Sequence, residues 1–248
     1  KRFGEMVGKL SLTQGSSKVT RDIHPIFDAQ LPSDAAKRIC VWVRDGWSTD
    51  ENSVRADARQ AGNQSPTVYV FIPKRSADDL RHHLMDYKAA TATLDKRGVP
   101  NTAEGVEARA AMETTKQAAA GRIRELLEEA FSGARVFQGG GNEILGNDLQ
   151  EMVLEASRNG QQRLYPHFHT ADHVGWAKVY EKAKAGAPDA LKAVGDGGEP
   201  TNNPVCKAIL GYIAGGKRGA DIRTQFESSP YGWSRDAVDG GLQVLLVA

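Results

Sequence analysis

The sequence predicts a mostly helical α+β protein with a small α/β base, an inserted long helical hairpin and a C-terminal winged-helix-like bundle of three helices. A helical repeat of apolar residues runs through residues 76–131 and is broken only once, which predicts a hairpin. Before it, two short apolar runs enclose a short helical segment, which indicates a strand–helix–strand unit. Three short helical segments separated by turns end the chain and indicate the bundle.

These patterns divide the chain of 248 residues into four predicted units. In chain order they are the base, the antiparallel hairpin, a third strand with a helical connector, and the truncated three-helix bundle. Their predicted bounds are residues 1–75, 76–133, 134–200 and 201–248.

The base is predicted from two short apolar segments and the helical segment between them. Residues 1–32 mix short apolar groups with Gly, Ser and Pro, so we expect a short initial helix followed by irregular structure. Residues 39–43 and 67–72 are rich in β-branched and aromatic side chains and predict two buried strands. Residues 51–61 predict the helix between them, and Gly62 its end. This spacing indicates a βαβ unit with parallel strands.

The hairpin is predicted by two helical arms that a Gly-Val-Pro turn at residues 97–102 separates. In the first arm, Leu84 belongs to an apolar series with spacings of three and four. We expect Leu84 and Leu126, from the second arm, to be buried where the arms meet. At 1.5 Å per residue the arms are roughly 30 and 45 Å long. A helical arm of this length usually contacts a partner or another domain.

The chain after the hairpin is predicted to contain one strand and then helices. Residues 134–138 predict a third strand. Residues 147–164 predict an amphipathic helix, and the sequence leaves open whether Asn159-Gly160 interrupts it. Residues 172–185 predict a further helix, and 189–194 a short one. A linker follows at 195–203.

The three C-terminal helices are placed by turn residues on either side of each apolar segment. Residues 204–214, 219–227 and 234–247 are the predicted helices, with Ser234 as the N-cap of the last. The Gly-rich turn at 215–218 fits a helix-turn-helix or the helical part of a winged helix.

The charge, cysteine content and hydropathy of the chain limit the classes of function that it can have. A formal net charge of +1 predicts no strong general attraction to nucleic acid or acidic membranes. Residues 1–75 carry 12 Lys and Arg against 8 Asp and Glu, a mild net charge of +4. Cys40 and Cys206 lie in apolar runs and indicate buried free thiols in a reducing compartment, with a disulfide as the less favoured alternative. No apolar run reaches the roughly 18 residues that span a bilayer, so we expect a cytoplasmic protein.

A histidine cluster is the one arrangement that resembles a metal site. His167, His169, Asp172 and His173 are residue types that bind Zn²⁺ or Fe²⁺. The same pattern is typical of a helix start with Asp172 in its first turn and His173 in the packing. No further ligand is evident in a distant segment. We favour the packing interpretation and predict no metal, and a metal-dependent hydrolase stays open as an alternative.

The C-terminal helix-turn-helix raises the possibility of nucleic-acid binding. Its candidate contacts are Lys217, Arg218, Arg223 and Arg235. The predicted third helix carries one Arg beside Asp236 and Asp239, whose carboxylates repel phosphates. We therefore favour a packing or protein-docking role and keep duplex DNA as an alternative partner.

Three other motifs favour ordinary structural interpretations. Gly211–Arg218 nearly matches a phosphate loop, but it lacks the final hydroxyl residue and follows a helix instead of a strand. Gly139–Asn142 is typical of a flexible turn, with an anion-binding nest as the alternative. Arg44–Trp47 indicates a salt-bridged turn at a strand end, where open α/β sheets also place ligands. We predict no catalytic residue and no bound cofactor for this chain.

Five stretches together resemble the BrxC/PglY family, the large P-loop ATPases of bacteriophage-exclusion (BREX) defence systems. The stretches are Val41–Trp47, Ser65–Pro73, Ala134–Asn142, Asn203–Leu210 and Pro230–Gly240. The resemblance spans residue 40 to the C-terminus. It implies an interior, non-catalytic segment of a much longer protein whose ATP- and Mg²⁺-binding loop lies elsewhere. A first residue that is not Met and an apolar last helix without a stop signal also indicate a piece of a longer chain.

The function expected from these observations is a scaffold and interaction segment of a BREX ATPase. It would couple the ATPase to partner subunits of the defence system or to DNA. The expected partners are other BREX proteins, with double-stranded DNA as a further possibility and no membrane. The oligomeric state is left open.

Overall fold

The computed structural model describes residues 2–27, 30–98 and 100–248. A five-stranded mixed sheet forms the base of the protein. Val99, in the predicted hairpin turn, lies outside the described residues. The strands are β1 (Leu12–Gln14), β2 (Val19–Arg21), β3 (Ile23–Ile26), β4 (Ile39–Asp45), β5 (Val68–Ile72), β6 (Arg135–Gln138) and β7 (Glu143–Ile144). The α-helices are α1 (Arg2–Val7), α2 (Glu51–Gln60), α3 (Ala77–Arg97), α4 (Ala103–Ser132), α5 (Leu149–Leu164), α6 (Trp176–Lys184), α7 (Pro204–Ile213), α8 (Gly219–Glu227) and α9 (Arg235–Val247).

The predicted fold class is confirmed, because long helices surround a small sheet. The sheet order is β3-β4-β5-β6-β7, with β3 to β5 parallel and β6 and β7 antiparallel to their neighbours. The pairing of β4 with β5 across α2 confirms the predicted βαβ unit. The predicted third strand is β6, which lies beside β5, so α3 and α4 are inserted between neighbouring strands.

The two faces of the sheet differ in chemistry because side chains alternate along each strand. One face is aliphatic and packs on α1 and α5, with Val41, Val43, Val68, Val70 and Val136 at its centre. The other face is aromatic and packs on α2, with Trp42, Tyr69, Phe71 and Phe137 at its centre. Both faces are covered, which explains why the two parallel strands read as continuous apolar runs.

The prediction of irregular structure near His24 and Pro25 is wrong. These residues lie in β3, which pairs in parallel with β4. β3 is the edge strand, where Pro is tolerated because no second neighbour needs its N–H. Before β3, a turn at residues 15–18 connects β1 and β2, which form an antiparallel pair.

The structure of the helical connector decides one open alternative and differs from its prediction at one point. Asn159-Gly160 does not interrupt α5, because Gly160 packs closely on the carbonyl of Pro66, where a side chain would not fit. The helix predicted from residue 172 begins at Trp176 and follows a 3₁₀ helix, Phe168–Ala171. Asp172 is therefore not in the first turn of an α-helix.

A second hydrophobic core joins the connector to the C-terminal helices. Its buried residues run from Ala171 to Val244, and α9 packs extensively on α6. The predicted boundary between residues 200 and 201 falls inside this core. The three predicted C-terminal helices are present as α7, α8 and α9. Residues 145–248, all of them described, contain no strand that forms a wing.

Both cysteines lie inside the packed parts of the protein. Cys40 and Cys206 are buried and free, as predicted. Burial raises the pKa of Cys206 to about 11, with a smaller contribution from Asp196, so the thiol stays protonated at neutral pH. Separately, none of the helices in the described part of the chain is long and apolar enough to cross a membrane.

The hairpin is stabilised by a narrow contact between α3 and α4. The only buried side chains along its two arms are Ala90, Ala119, Leu126 and Ala130, among the described residues. Thr102 caps α4 by accepting a hydrogen bond from the amide of Gly105 at 3.1 Å. The predicted burial of Leu84 is wrong, since its side chain is 39% exposed on the outer side of α3.

Substitutions of Leu126 and Leu84 should distinguish a residue buried between α3 and α4 from an exposed one. Leu126→Ala should lower the free energy of unfolding by about 2–5 kcal/mol, because it leaves a cavity where the side chain is 1% exposed. Leu84→Ala should change it by no more than about 0.5 kcal/mol. Urea unfolding followed by circular dichroism measures both values. Equal losses for the two variants would contradict the observed orientation of α3.

Candidate interaction surfaces

The hairpin is a long surface that makes few contacts with the rest of the described chain. Its arms pack chiefly on each other. At the root, Arg75 donates a hydrogen bond to the carbonyl of Glu129 at 3.3 Å, and the ring of Phe131 meets that of Phe3 edge to face. Halfway along, Lys116 lies 5.7 Å from the ring centre of Tyr87. The hairpin is therefore anchored at its root and open along its length.

The middle of α4 is uncharged over much of its exposed surface. Between residues 110 and 121 of α4, Glu113 and Lys116 are the only charged residues. The exposed small or uncharged side chains are Ala110, Ala111, Thr114, Thr115, Gln117 and Ala118. On α3, Met85 beside Leu84 is 62% exposed. Surfaces of this kind allow another helix to pack closely.

Two threonines of this segment present methyl groups instead of hydroxyls. Thr114 and Thr115 donate hydrogen bonds to the carbonyls one turn earlier, at 2.9 and 3.0 Å. A threonine whose hydroxyl bonds back to its own helix has little need of an outside partner. The exposed centre of α4 thus has few polar groups for a partner to satisfy.

A polar junction connects the β1–β2 turn with the second hydrophobic core. The Asp172 carboxylate accepts hydrogen bonds from the amides of Ser16 and Ser17, at 2.9 and 2.8 Å. It also accepts from both hydroxyls, at 3.2 Å for Ser16 and 2.7 Å for Ser17. Gly15, at φ +64°, lets the turn approach so closely that a side chain there would overlap the carboxylate. Four donors therefore meet one carboxylate.

The pKa of Asp172 reflects this arrangement. Burial alone would raise the pKa, but the hydrogen bonds from Ser17 and Ser16 outweigh it and hold the pKa below its usual 3.8. The carboxylate is therefore ionised across the physiological range.

Arg21 forms the second half of the junction. Its guanidinium lies 4.1 Å above the ring of Tyr165, and its Nε donates to Gln14 at 3.0 Å. Its Nη2 donates to the carbonyl of Gly232. Burial lowers the pKa of Arg21 from its usual value, and the nearby Tyr165 opposes this shift. Sequence reasoning missed both Arg21 and Asp172 as contact residues. The carbonyl of Gly232 that Arg21 binds and the serines that bind Asp172 each lie more than 150 positions away.

The residues of the alternative metal site are not brought together. His169 Nδ1 lies 3.0 Å from the carbonyl of Pro166, and His173 Nδ1 accepts from the amide of Gly175 at 2.9 Å. The ring of His167 packs against Tyr231, 5.4 Å between centres. Within the described ranges, no three His, Cys, Asp or Glu side chains are placed to hold one metal ion. Asp172 is engaged by serines instead.

The four candidate nucleic-acid contacts, Lys217, Arg218, Arg223 and Arg235, do not share one environment, and three of them lie near side chains of the C-terminal helices. Arg223 makes two hydrogen bonds to Asp239, at 2.7 and 3.0 Å, and Arg235 lies 3.4 Å from Glu227. Lys217 lies 5.5 Å from the ring centre of Tyr212, and Arg218 precedes α8. Because carboxylates of the same bundle neutralise two of the four cations, these residues form no strong cationic face.

The glycine motif after β6 is a tight turn. Gly140 and Gly141 adopt φ values of +90° and +78° in the turn between β6 and β7. The amide of Gly140 donates to the carbonyl of Ala58 at 2.8 Å, and that of Gly141 donates to Gln138 at 2.9 Å. These amides are not available to an anion, so the turn prediction is confirmed.

The other two motifs have structural roles as well. Asp45 accepts hydrogen bonds from the amides of Trp47 and Ser48, at 2.9 and 3.0 Å, and so forms the turn after β4. Trp47 itself is 52% exposed. In the near match to a phosphate loop, Gly211 lies within α7, which ends at Ile213. The segment before the loop is a helix, as predicted.

Comparison with known proteins assigns no family. No family model, no curated protein and no solved structure matches this chain. The BREX resemblance stays a prediction, and the surfaces described above are the basis for a functional proposal.

The junction can be tested by removing one charge. Asp172→Asn should lower the free energy of unfolding at pH 7 by about 1–3 kcal/mol, because hydrogen bonds to an ionised group are replaced by weaker ones. Asp95→Asn, on the exposed side of α3, is the matched control and should have little effect. Thermal unfolding of both variants measures the difference.

The pH dependence follows from the lowered pKa. The unfolded carboxyl, with a pKa of about 3.9, binds a proton more readily than the folded one. Stabilisation is therefore complete above about pH 5 and is lost as the pH falls through the folded pKa. The difference in melting temperature between wild type and Asp172→Asn should be constant from about pH 6 to 8 and shrink towards pH 3. A pH-independent difference would contradict an ionised Asp172.

Proposed function

We propose that this chain is a non-catalytic scaffold and interaction segment that presents its helical hairpin to a protein partner. On the sequence resemblance, the parent is a large BREX phage-defence ATPase and the partner is another component of that system. ATP and Mg²⁺ would then bind a part of the parent outside this chain. The segment would work in the cytoplasm, where its two free cysteines stay reduced.

The observation that carries the proposal is the shape and chemistry of the hairpin. Two helices of 21 and 30 residues leave the sheet at one point and bury four side chains within the described part of their length. A helix pair that contributes so little to either hydrophobic core has a weak structural reason to be this long. The uncharged centre of α4 supports packing against an apolar partner surface.

The way in which the hairpin is held supports a coupling role. β5 and β6 are paired from Val68 to Phe71, so both roots are fixed to one sheet. The Asp172 and Arg21 contacts connect the β1–β2 pair to the C-terminal helices. A partner bound to the hairpin is thereby linked through one continuous set of contacts to both cores.

The structure gives less support to the two alternative functions. A C-terminal nucleic-acid reader needs free cations, yet Arg223 and Arg235 face Asp239 and Glu227. A metal-dependent hydrolase at His167, His169 and His173 needs convergent ligands, yet these side chains have separate neighbours.

The proposal is tested by placing a charge in the uncharged centre of α4. Ala111→Glu and Ala118→Glu should each weaken binding to the partner at least about tenfold, or 1.4 kcal/mol, because an interface that excludes water penalises a new carboxylate. Co-purification with the other BREX components, followed by calorimetric titration of the component retained, measures the effect.

The matched control is Val174→Glu, which places the same charge at a residue that is 70% exposed outside the hairpin. It should leave binding unchanged, and all three variants should keep the melting temperature of the wild type. Full binding by both hairpin variants would refute a partner site at the centre of the hairpin.

A further inference from the structure

Three segments of the chain are free of acidic residues and rich in amide side chains, and two of them also carry arginine. They are residues 58–67, 136–142 and 156–171. None contains Asp or Glu, although acidic residues are common elsewhere in the chain. Their Arg, Asn and Gln residues are Arg59, Gln60, Asn63, Gln64, Gln138, Asn142, Arg158, Asn159, Gln161, Gln162 and Arg163.

The fold brings these segments together at one end of the sheet. Arg163 donates hydrogen bonds to Gln138 Oε1 at 2.7 Å and to the carbonyl of Ser65 at 3.3 Å. Gly140 donates to the carbonyl of Ala58 at 2.8 Å. Through these contacts the segment after α2, the β6–β7 turn and the end of α5 form one surface, which we call the amide surface.

The polar side chains of the amide surface are largely open to solvent. The exposed members are Arg59, Gln60, Asn63, Gln64, Asn142, Arg158 and Gln162. Helix dipoles account for part of this composition, since Arg59 and Arg163 lie in the last turns of α2 and α5, where cations are favoured. The dipoles do not account for the exposed amides, which carry no charge.

Three of the four carboxylates that flank these segments in sequence are engaged elsewhere. Glu143 is bound to Arg135 at 3.0 Å, and Asp57 lies 3.9 Å from Arg44. Asp172 is held by the two serines of the junction. Glu155, one turn before Asn159 on α5, is the nearest exposed acid in sequence. The surface therefore offers hydrogen-bond donors and positive charge with little local repulsion of anions.

Two adjoining recesses shape this surface. One, of about 410 Å³, lies between the β1–β2 turn and α5, and the other, of about 460 Å³, lies between α5 and the β6 end. They share Gln162 and Pro166, and neither is lined by a carboxylate. Gln161, which lines the first recess, is only 5% exposed, and its Nε2 has no hydrogen-bond partner among the described residues. Buried amide donors are usually paired with protein groups or ordered water.

We propose that the amide surface binds single-stranded nucleic acid. Arg59 and Arg158 would contact phosphates, and the amides would bond to base edges, for which Asn, Gln and Arg are the usual residues. Base edges inside side-chain-lined recesses are reachable only when the bases are unpaired. The site is distinct from both the hairpin and the C-terminal cations Lys217 and Arg218.

Fluorescence anisotropy with a labelled 20-nucleotide mixed-sequence DNA, as single strand and as duplex, tests this inference on the full chain. The single strand should bind more tightly than the duplex, and its affinity should fall between about 50 and 200 mM salt. Arg59→Glu with Arg158→Glu should weaken binding at least about tenfold and make the salt slope shallower by about 1.4, which is 0.7 for each lost phosphate contact.

Two further variants separate the roles of charge and amide. Lys88→Glu with Lys96→Glu places the same charge change on the exposed side of α3 and should leave the affinity nearly unchanged. Asn159→Ala with Gln162→Ala should lower affinity while leaving the salt slope as in the wild type, because base contacts release no counter-ions. Circular dichroism confirms that each variant is folded.

Three results would overturn the inference. One is the absence of single-strand binding at the lower salt. Another is equal or tighter binding of the duplex. The third is loss of binding in Lys217→Glu with Arg218→Glu when the Arg59 and Arg158 variant binds normally. None of these results bears on partner binding by the hairpin, so the two proposals stand or fall separately.

Discussion

The pairing of β5 with β6 is the constraint on which the architecture depends. It brings Phe71 and Arg135 side by side although more than sixty residues separate them in the chain. Closing so long a loop costs conformational entropy, but the cost rises only slowly with length. The helices α3 and α4 reduce it further, because an antiparallel helix pair returns the chain to its starting point. The insertion is therefore compatible with a small sheet that is buried on both faces.

The contacts around Asp172 and Arg21 have a different physical character from the two cores. The cores are apolar and hold their shape by packing, whereas the junction between them is made of directed hydrogen bonds. Directed bonds fix orientation, since each donor must point at its acceptor. The close approach at Gly15 adds a steric condition that few residues meet. The relative placement of the β1–β2 pair and the C-terminal helices is thus specified by a few polar atoms.

Local sequence signals predicted the elements whose ends are marked by capping or turn residues. The helix at 219–227 and the N-cap at Ser234 follow from flanking Gly and Ser residues, and the βαβ unit follows from its apolar runs. The strand β3 was missed because four residues containing Pro25 carry almost no pattern. Leu84 was misplaced because periodicity identifies a helical face, while a two-helix contact buries only a strip of it.

The candidate sites were harder to predict because each depends on contacts between residues that local sequence does not pair. Asp172 looks like a helix-start acid in sequence, and its actual partners are serines at the other end of the chain. The amide surface is assembled from three segments, each of which looks like an ordinary loop or helix end by itself. The histidines are close in sequence, but their rings face different neighbours. Spacing along the chain does not determine which side chains converge.

The length of α4 has a mechanical consequence. A rigid rod of 30 residues is about 45 Å long, so a rotation of about 5° at its root moves the tip by about 4 Å. Small rearrangements in the sheet are thereby converted into displacements as large as a side chain at the far end. The same geometry works in reverse, since a force applied at the tip acts on β5 and β6 with the full length of the rod as its lever arm.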